Sequence, residues 1–230
     1  MIKPKVGEEG VYDIGIFNPI ASSLPRDEGA DFVFYINNLI NLNSLLNDFI
    51  NAVSLFKLIE IQEYNFIKEI SKLNTISKNK IYGSINGWKN IAARDAGMTV
   101  FGIREIISYL QSYLKNVPYL NSVAKTEKLD RALVEFDNKF KNAKLLRNAI
   151  GHRCEITFSP KEILRHTVDN RIIIPHVDKR VYRLTFKKMN LSLEISIDNH
   201  INLAEIINLV YSSYPNIVHL LPPISVPKRD

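Results

Sequence analysis

The chain has 230 residues, 46% of them hydrophobic and 23% charged, with a formal net charge of +6 and a pI near 9.2. That length and apolar content suffice for one large domain or a domain with an appendage, and they argue against disorder. A single cysteine, Cys154, excludes an intramolecular disulfide and a Cys-rich structural zinc site, while the moderate positive charge says only that polyanions are attracted more than repelled.

Residues 1–30 hold Pro4, Pro19, Pro25 and four glycines without sustained periodicity, which predicts an irregular arm. Gly7, Glu8, Glu9 and Gly10 stand where a secretory signal would carry its apolar stretch, so a cytoplasmic protein is expected. Over residues 31–63, Phe32, Ile36, Leu39, Ile40, Leu46, Phe49, Ile50, Val53, Phe56 and Ile59 recur largely at spacings of three and four, predicting a long amphipathic helix. Asn37, Asn41, Asn47 and Asp48 interrupt it, and no membrane span is expected. A weaker helical piece follows over 64–77, and the Ser, Asn, Lys and Gly of residues 72–87 predict a loop.

Residues 88–115 read as another helix, with Ile91, Val100, Ile103, Ile106, Ile107, Leu110 and Leu114 on its core side, Trp88 at core spacing and Pro118 closing it. Gly97 and Gly102 inside it cost about 1 kcal/mol each relative to alanine, which a close helix crossing would offset. Thr126 is the expected N-cap of a helix over 126–150, marked by Leu129, Leu133, Phe136, Phe140, Ala143, Leu146 and Ile150. Beyond Gly151 the runs 154–158, 171–174, 181–187 and 191–197 predict a small antiparallel element, with residues 188–190 turning its hairpin. Asn202 and Glu205 form a capping-box pattern for a last helix ending near Ser213, before Pro215. The predicted fold is therefore mainly α: a helical bundle over 31–155, preceded by the arm and followed over 156–230 by a β-hairpin and a final helix.

Chemistry concentrates in residues 139–153, where Lys139, Lys141, Lys144, Arg147 and Arg153 occur without any Asp or Glu. Within this stretch Arg147-Asn148-x-x-x-His152 matches R-x(4-6)-H with a polar residue after the arginine, and in this it resembles the HEPN superfamily. Ile91-Ala92-Ala93-Arg94-Asp95-Ala96-Gly97-Met98 is likewise similar to the second helix of some bacterial HEPN proteins. The resemblance covers residues 31–155 and implies an antiparallel helical bundle that forms a homodimer with two motifs meeting in one cleft. It also implies a metal-independent endoribonuclease, without cofactor or metal, that serves as a toxin or defence effector held in check by an antitoxin-like protein. Some HEPN branches are non-catalytic modules that bind a nucleotide, RNA or protein, and that is the alternative reading.

In such a site His152 handles protons near neutral pH, Arg147 neutralises the phosphate oxygens, and Asn148 orients either partner. Lys141, Lys144 and Arg153 would hold the RNA backbone without sequence preference. Arg94 and Asp95 are either a pair supporting the site or an ordinary helix-surface pair. The bland reading of Arg147 and His152 is a basic helix C-terminus opposing the macrodipole. On an ideal helix five residues separate them by ~140° and ~7.5 Å of rise. A single copy brings them together only if Gly151 turns left-handed; otherwise two copies share the site. His166, His176, His200 and His219 lack metal-ligand spacing and read as structural or surface residues, as does Cys154 at an expected strand start. No phosphate-binding glycine loop, G-x-S-x-G elbow or H-E-x-x-H pair is present.

Overall fold

The computed structural model describes residues 12–152, 159–169, 171–224 and 226, so the 154–158 run, Arg153 and Cys154 lie outside the described residues. The protein is mainly helical, with one three-stranded antiparallel sheet. Short α1 (Asn18–Ser23) precedes two long helices, α2 (Arg26–Glu69) and α3 (Thr75–Tyr113). Then come α4 (Pro118–Asn121), α5 (Thr126–Lys139), α6 (Ala143–Gly151) and α7 (Pro160–His166). The strands β1 (His176–Asp178), β2 (Val181–Phe186) and β3 (Met189–Glu194) lead into α8 (Ile197–Tyr211). No helix among the described residues is long and apolar enough to cross a membrane.

Several boundaries differ from the sequence expectation. The N-terminal arm carries a 3-10 turn, Ile14–Phe17, and α1, and the first long helix starts five residues early. Residues 75–87 are helix, not loop: Asn74 caps α3 by accepting from the Ser77 N–H at 2.8 Å. The polar residues there occupy a solvent face, while Ile81 and Ile85 pack with Ile59, Phe66, Ile70 and Leu73. The single helix expected over 126–150 is broken, because Phe140 (φ −123°, ψ 49°) and Asn142 leave helical geometry between α5 and α6. Thr126 is the first residue of α5 and not its N-cap, a position held by Lys125 without a side-chain hydrogen bond. The run at 171–174 forms no strand; only Arg171 bridges back to Val168. α8 begins at Ile197, with Ser196 Oγ accepting from the Asn199 N–H at 3.3 Å, and Asn202 lies inside the helix.

The chain divides into two units, each gathered from separated stretches. One takes the segment ending at Leu46, Gly102–Lys141 and the segment from Ile201. Its core holds Phe17, Phe32, Tyr35, Leu39, Leu110 and Phe136, among others. Three buried tyrosine hydroxyls there, those of Tyr35, Tyr211 and Tyr214, are satisfied, as burial favours. Tyr35 donates its hydroxyl proton to the Leu110 carbonyl at 2.8 Å and accepts from Tyr214, and Tyr211 donates to the Leu39 carbonyl at 2.9 Å. Burial above all, then the neighbouring Tyr214 hydroxyl, pushes the Tyr35 pKa far up, so it stays a neutral donor. Arg104 grips both carboxylate oxygens of Asp137 at 2.7 and 3.0 Å, joining α3 to α5.

The other unit comprises Asn47–Phe101 and Asn142–His200. Its sheet alternates: Tyr182 and Leu184 of β2 lie opposite Leu193 and Leu191 of β3, and all four are buried. Helix α6 packs against both strands. Arg180, in the turn between β1 and β2, holds Glu60 of α2 through two hydrogen bonds of 2.8 and 2.5 Å. That hydrogen bonding keeps the Glu60 carboxyl below the usual carboxylate range.

Gly97 serves the close crossing expected of it, since a β-carbon there would stand 2.7 Å from Ile150 Cδ1 and 3.3 Å from Leu146 Cδ2. Gly83, in the same helix, faces open space. Gly97→Leu is therefore expected to destabilise by about 1–3 kcal/mol through overpacking, whereas Gly83→Ala stabilises by up to ~1 kcal/mol through helix propensity. Urea midpoints of the two variants check this, and equal shifts would contradict the crossing.

Candidate functional site

Helix α6 forms because Ala143, Lys144, Leu145, Leu146 and Arg147 are strong helix formers, and it is held because one stripe is apolar. Ala143, Leu146, Ala149 and Ile150 are buried, which leaves Lys144, Arg147, Asn148 and His152 on the remaining surface. Gly151 is still helical and not left-handed, so the first of the two routes for uniting Arg147 and His152 is closed. His152 is the C-cap, with φ −97° and ψ 14°, and its backbone N–H donates to the Asn148 carbonyl at 2.9 Å. Its side chain is exposed.

Asn148 is the joint of this surface. Its Oδ1 accepts from Arg147 Nη1 at 3.3 Å, while its main-chain oxygen holds the residue that carries the imidazole. The Arg147 guanidinium also lies over the Phe101 ring, 5.5 Å from its centre, and among the described residues no carboxylate pairs with it. Held on two sides and uncompensated, it still has donors to offer an oxyanion. Lys144 is exposed on the same helix.

The other sequence candidates fall elsewhere. Lys141 is exposed but belongs to the other unit, and Arg153 lies outside the described residues. Lys139 is tied to Asn202 Oδ1 at 2.9 Å and Glu205 at 3.2 Å, so the capping-box pair anchors a lysine instead of starting α8. Arg94 is half-buried and bonds its own helix, Nε to the Asn90 carbonyl at 3.1 Å, and Asp95 is exposed. Neither makes a hydrogen bond or ion pair with Arg147, Asn148 or His152.

His166 and His200 are buried. His166 stacks on Phe186 with ring centres 4.9 Å apart, and burial lowers the His200 pKa. Among the described residues no group of three or more His, Cys, Asp or Glu side chains could hold a metal. Trp88, expected in the core, is instead 48% exposed and lines an apolar groove with Leu55, Leu58 and Ile91. Ile91 is outside the core as well. Comparison with known protein families, curated proteins and solved structures finds no match.

Sequence reasoning also passed over the basic tip of the β2–β3 hairpin. The turn falls at Lys187-Lys188, one residue before the start of the expected 188–190, so the lysine pair between two alternating runs was the available signal.

Proposed function

We propose that this chain is a metal-independent endoribonuclease of the HEPN type, working as a homodimer whose two α6 helices share one cleft. The observation that carries the reading is the exposed His152 at the end of α6, five residues beyond an Arg147 guanidinium that no carboxylate neutralises among the described residues. His152 takes the proton from a 2′-hydroxyl, and that oxygen attacks the neighbouring phosphorus. The bond to the 5′-oxygen breaks, and the departing oxygen takes up a proton. The products are a 2′,3′-cyclic phosphate and a 5′-hydroxyl. Arg147 stabilises charge on the phosphate oxygens, Asn148 fixes its direction, and Lys144 contributes affinity for the backbone.

The resemblance to HEPN ribonucleases places such an activity in a toxin or defence setting, with an antitoxin-like protein as its restraint. A second reading is favoured by one geometric fact: along an unbroken helix Arg147 and His152 stand ~140° apart, so a lone copy presents an anion-binding face without a catalytic pair. In that case the chain is a non-catalytic module for a nucleotide, RNA or protein.

The test is incubation of wild type and His152→Ala with end-labelled single-stranded RNA in EDTA, reading the cut ends for cyclic phosphate. Cleavage by wild type alone is expected. No cleavage of a broad RNA panel by a folded, dimeric wild type would leave the binding-module reading.

A further inference from the structure

The β2–β3 register pairs Phe186 with Met189 and leaves a two-residue turn, Lys187-Lys188. Both residues have positive φ, 49° and 60°, as the tight hairpin turn demands. Such turns favour Asn-Gly, because a β-carbon in the left-handed region costs roughly 1–2 kcal/mol per residue. The strained turn is locked in place. The Lys187 N–H donates to His166 Nδ1 at 3.0 Å, His166 stacks on Phe186, and the Lys187 ammonium lies 5.6 Å from the centre of that same ring.

Both lysines are exposed, and among the described residues neither forms an ion pair. Ile173 exchanges hydrogen bonds with Thr185, its N–H to Thr185 Oγ1 at 2.8 Å and its carbonyl from the Thr185 N–H at 3.0 Å. The chain there runs beside β2, and exposed Arg171 lines a cavity together with Asn190 of β3. This half-open cavity, of about 470 Å³, is lined by Val168, Asp169, Arg171, Ile173 and Asn190. That volume lies within the range of small-ligand sites, roughly 300–1,000 Å³.

We propose that this hairpin tip and the cavity beneath it bind one nucleotide unit of single-stranded RNA, with Lys187, Lys188 and Arg171 on the phosphate and Asn190 and Asp169 on the base edge. The cations match a phosphate, and an amide beside a carboxylate offers both donor and acceptor to a base. Val168 and Ile173 supply apolar wall for its face. Strain at a fixed basic turn points to function at that turn. An anionic lipid headgroup would use the lysines but has no edge to match Asn190 and Asp169. The proposal rests on the RNA reading above and adds to it a holding site away from the α6 terminus.

The test is fluorescence anisotropy of a labelled single-stranded RNA, with every chain carrying His152→Ala so that nothing is cut. Lys187→Asn with Lys188→Gly gives the turn its preferred residues. It is expected to raise Tm while weakening RNA binding about tenfold, with the salt slope shallower by about 1–1.5. Asn190→Ala is expected to weaken binding at an unchanged salt slope. The proposal is overturned if the turn variant binds RNA with parental affinity and slope. It is equally overturned if the variant loses only binding to phosphatidylserine vesicles, or if DNA of the same sequence competes equally and Asn190→Ala changes nothing. RNA bound through this tip by a protein that cuts none would sink the nuclease reading alone; cutting with binding indifferent to the tip would sink this proposal alone.

Discussion

Arg147→Ala and His152→Ala chains, each expected to lose about 10²–10⁴-fold of cleavage alone, should regain activity when unfolded and refolded together. The expectation follows from the course of α6. Because the helix runs unbroken through Gly151, Arg147 and His152 of one copy face different directions, so on the proposed reading a working pair takes one residue from each copy. A mixed dimer then keeps one intact pair, the Arg147 of the His152→Ala chain with the His152 of the Arg147→Ala chain. Size-exclusion chromatography with differently tagged chains would establish that mixed dimers form. If they form and remain as inactive as either parent, the two residues do not act across copies and the shared cleft is wrong. Arg147→Lys adds a finer test, since it keeps the charge but loses the planar fork that meets Asn148 and Phe101, and it is expected to recover little of the rate.

Phe136→Ala is expected to lower stability by about 3–5 kcal/mol, a large part of the 5–15 kcal/mol typical of a folded domain. Phe136 is fully buried, its ring centre lies 5.0 Å from that of Phe140, and its carbonyl accepts the Phe140 N–H at 2.8 Å. Truncation therefore opens a cavity at the point where α5 ends. Val134, two residues away and 59% exposed, is the control: Val134→Ala should change stability by no more than about 0.5 kcal/mol. Urea denaturation followed by far-UV circular dichroism measures both. Similar midpoints for the two variants would mean that the end of α5 is not packed as described.

Both experiments turn on how much of a helix can be read from its own residues. Of the stripe Leu129, Leu133, Phe136, Phe140, Ala143, Leu146 and Ile150, all but the half-buried Leu133 lie in the core along α5 and α6. The stripe could not announce the break between the two helices, because spacing by three and four continues across residues 140–142 while the backbone there leaves helical angles. Residues 75–87 misled in the opposite sense. Ser, Asn, Lys and Gly resemble a loop in isolation, but Ile81 and Ile85 find a buried partner in Phe66 of α2, and that burial outweighs weak local propensity.

The candidate site divides in the same way. The arginine, asparagine and histidine on one short helix were legible, since their spacing alone fixes their relative directions. Whether each charge remained available was not. Lys139 and Lys144 read alike in the sequence, yet Glu205 of α8 takes up the first and leaves the second exposed. Trp88 fitted a core stripe, but it is half exposed and stands in an open groove lined by Leu55 and Leu58 of α2.

By itself the sequence determined what depends on near neighbours along the chain: the long amphipathic helices, the glycine kept small at position 97, the alternation of β2 and β3, and the acid-free basic stretch. Backbone hydrogen bonding within a segment and the period of its apolar residues suffice for these. Only the tertiary structure decided where α5 stops, that the Lys187-Lys188 turn is strained and locked by His166, and which lysines remain uncompensated. Those outcomes depend on residues tens of positions away, and burial against such partners can exceed any local preference by several kcal/mol.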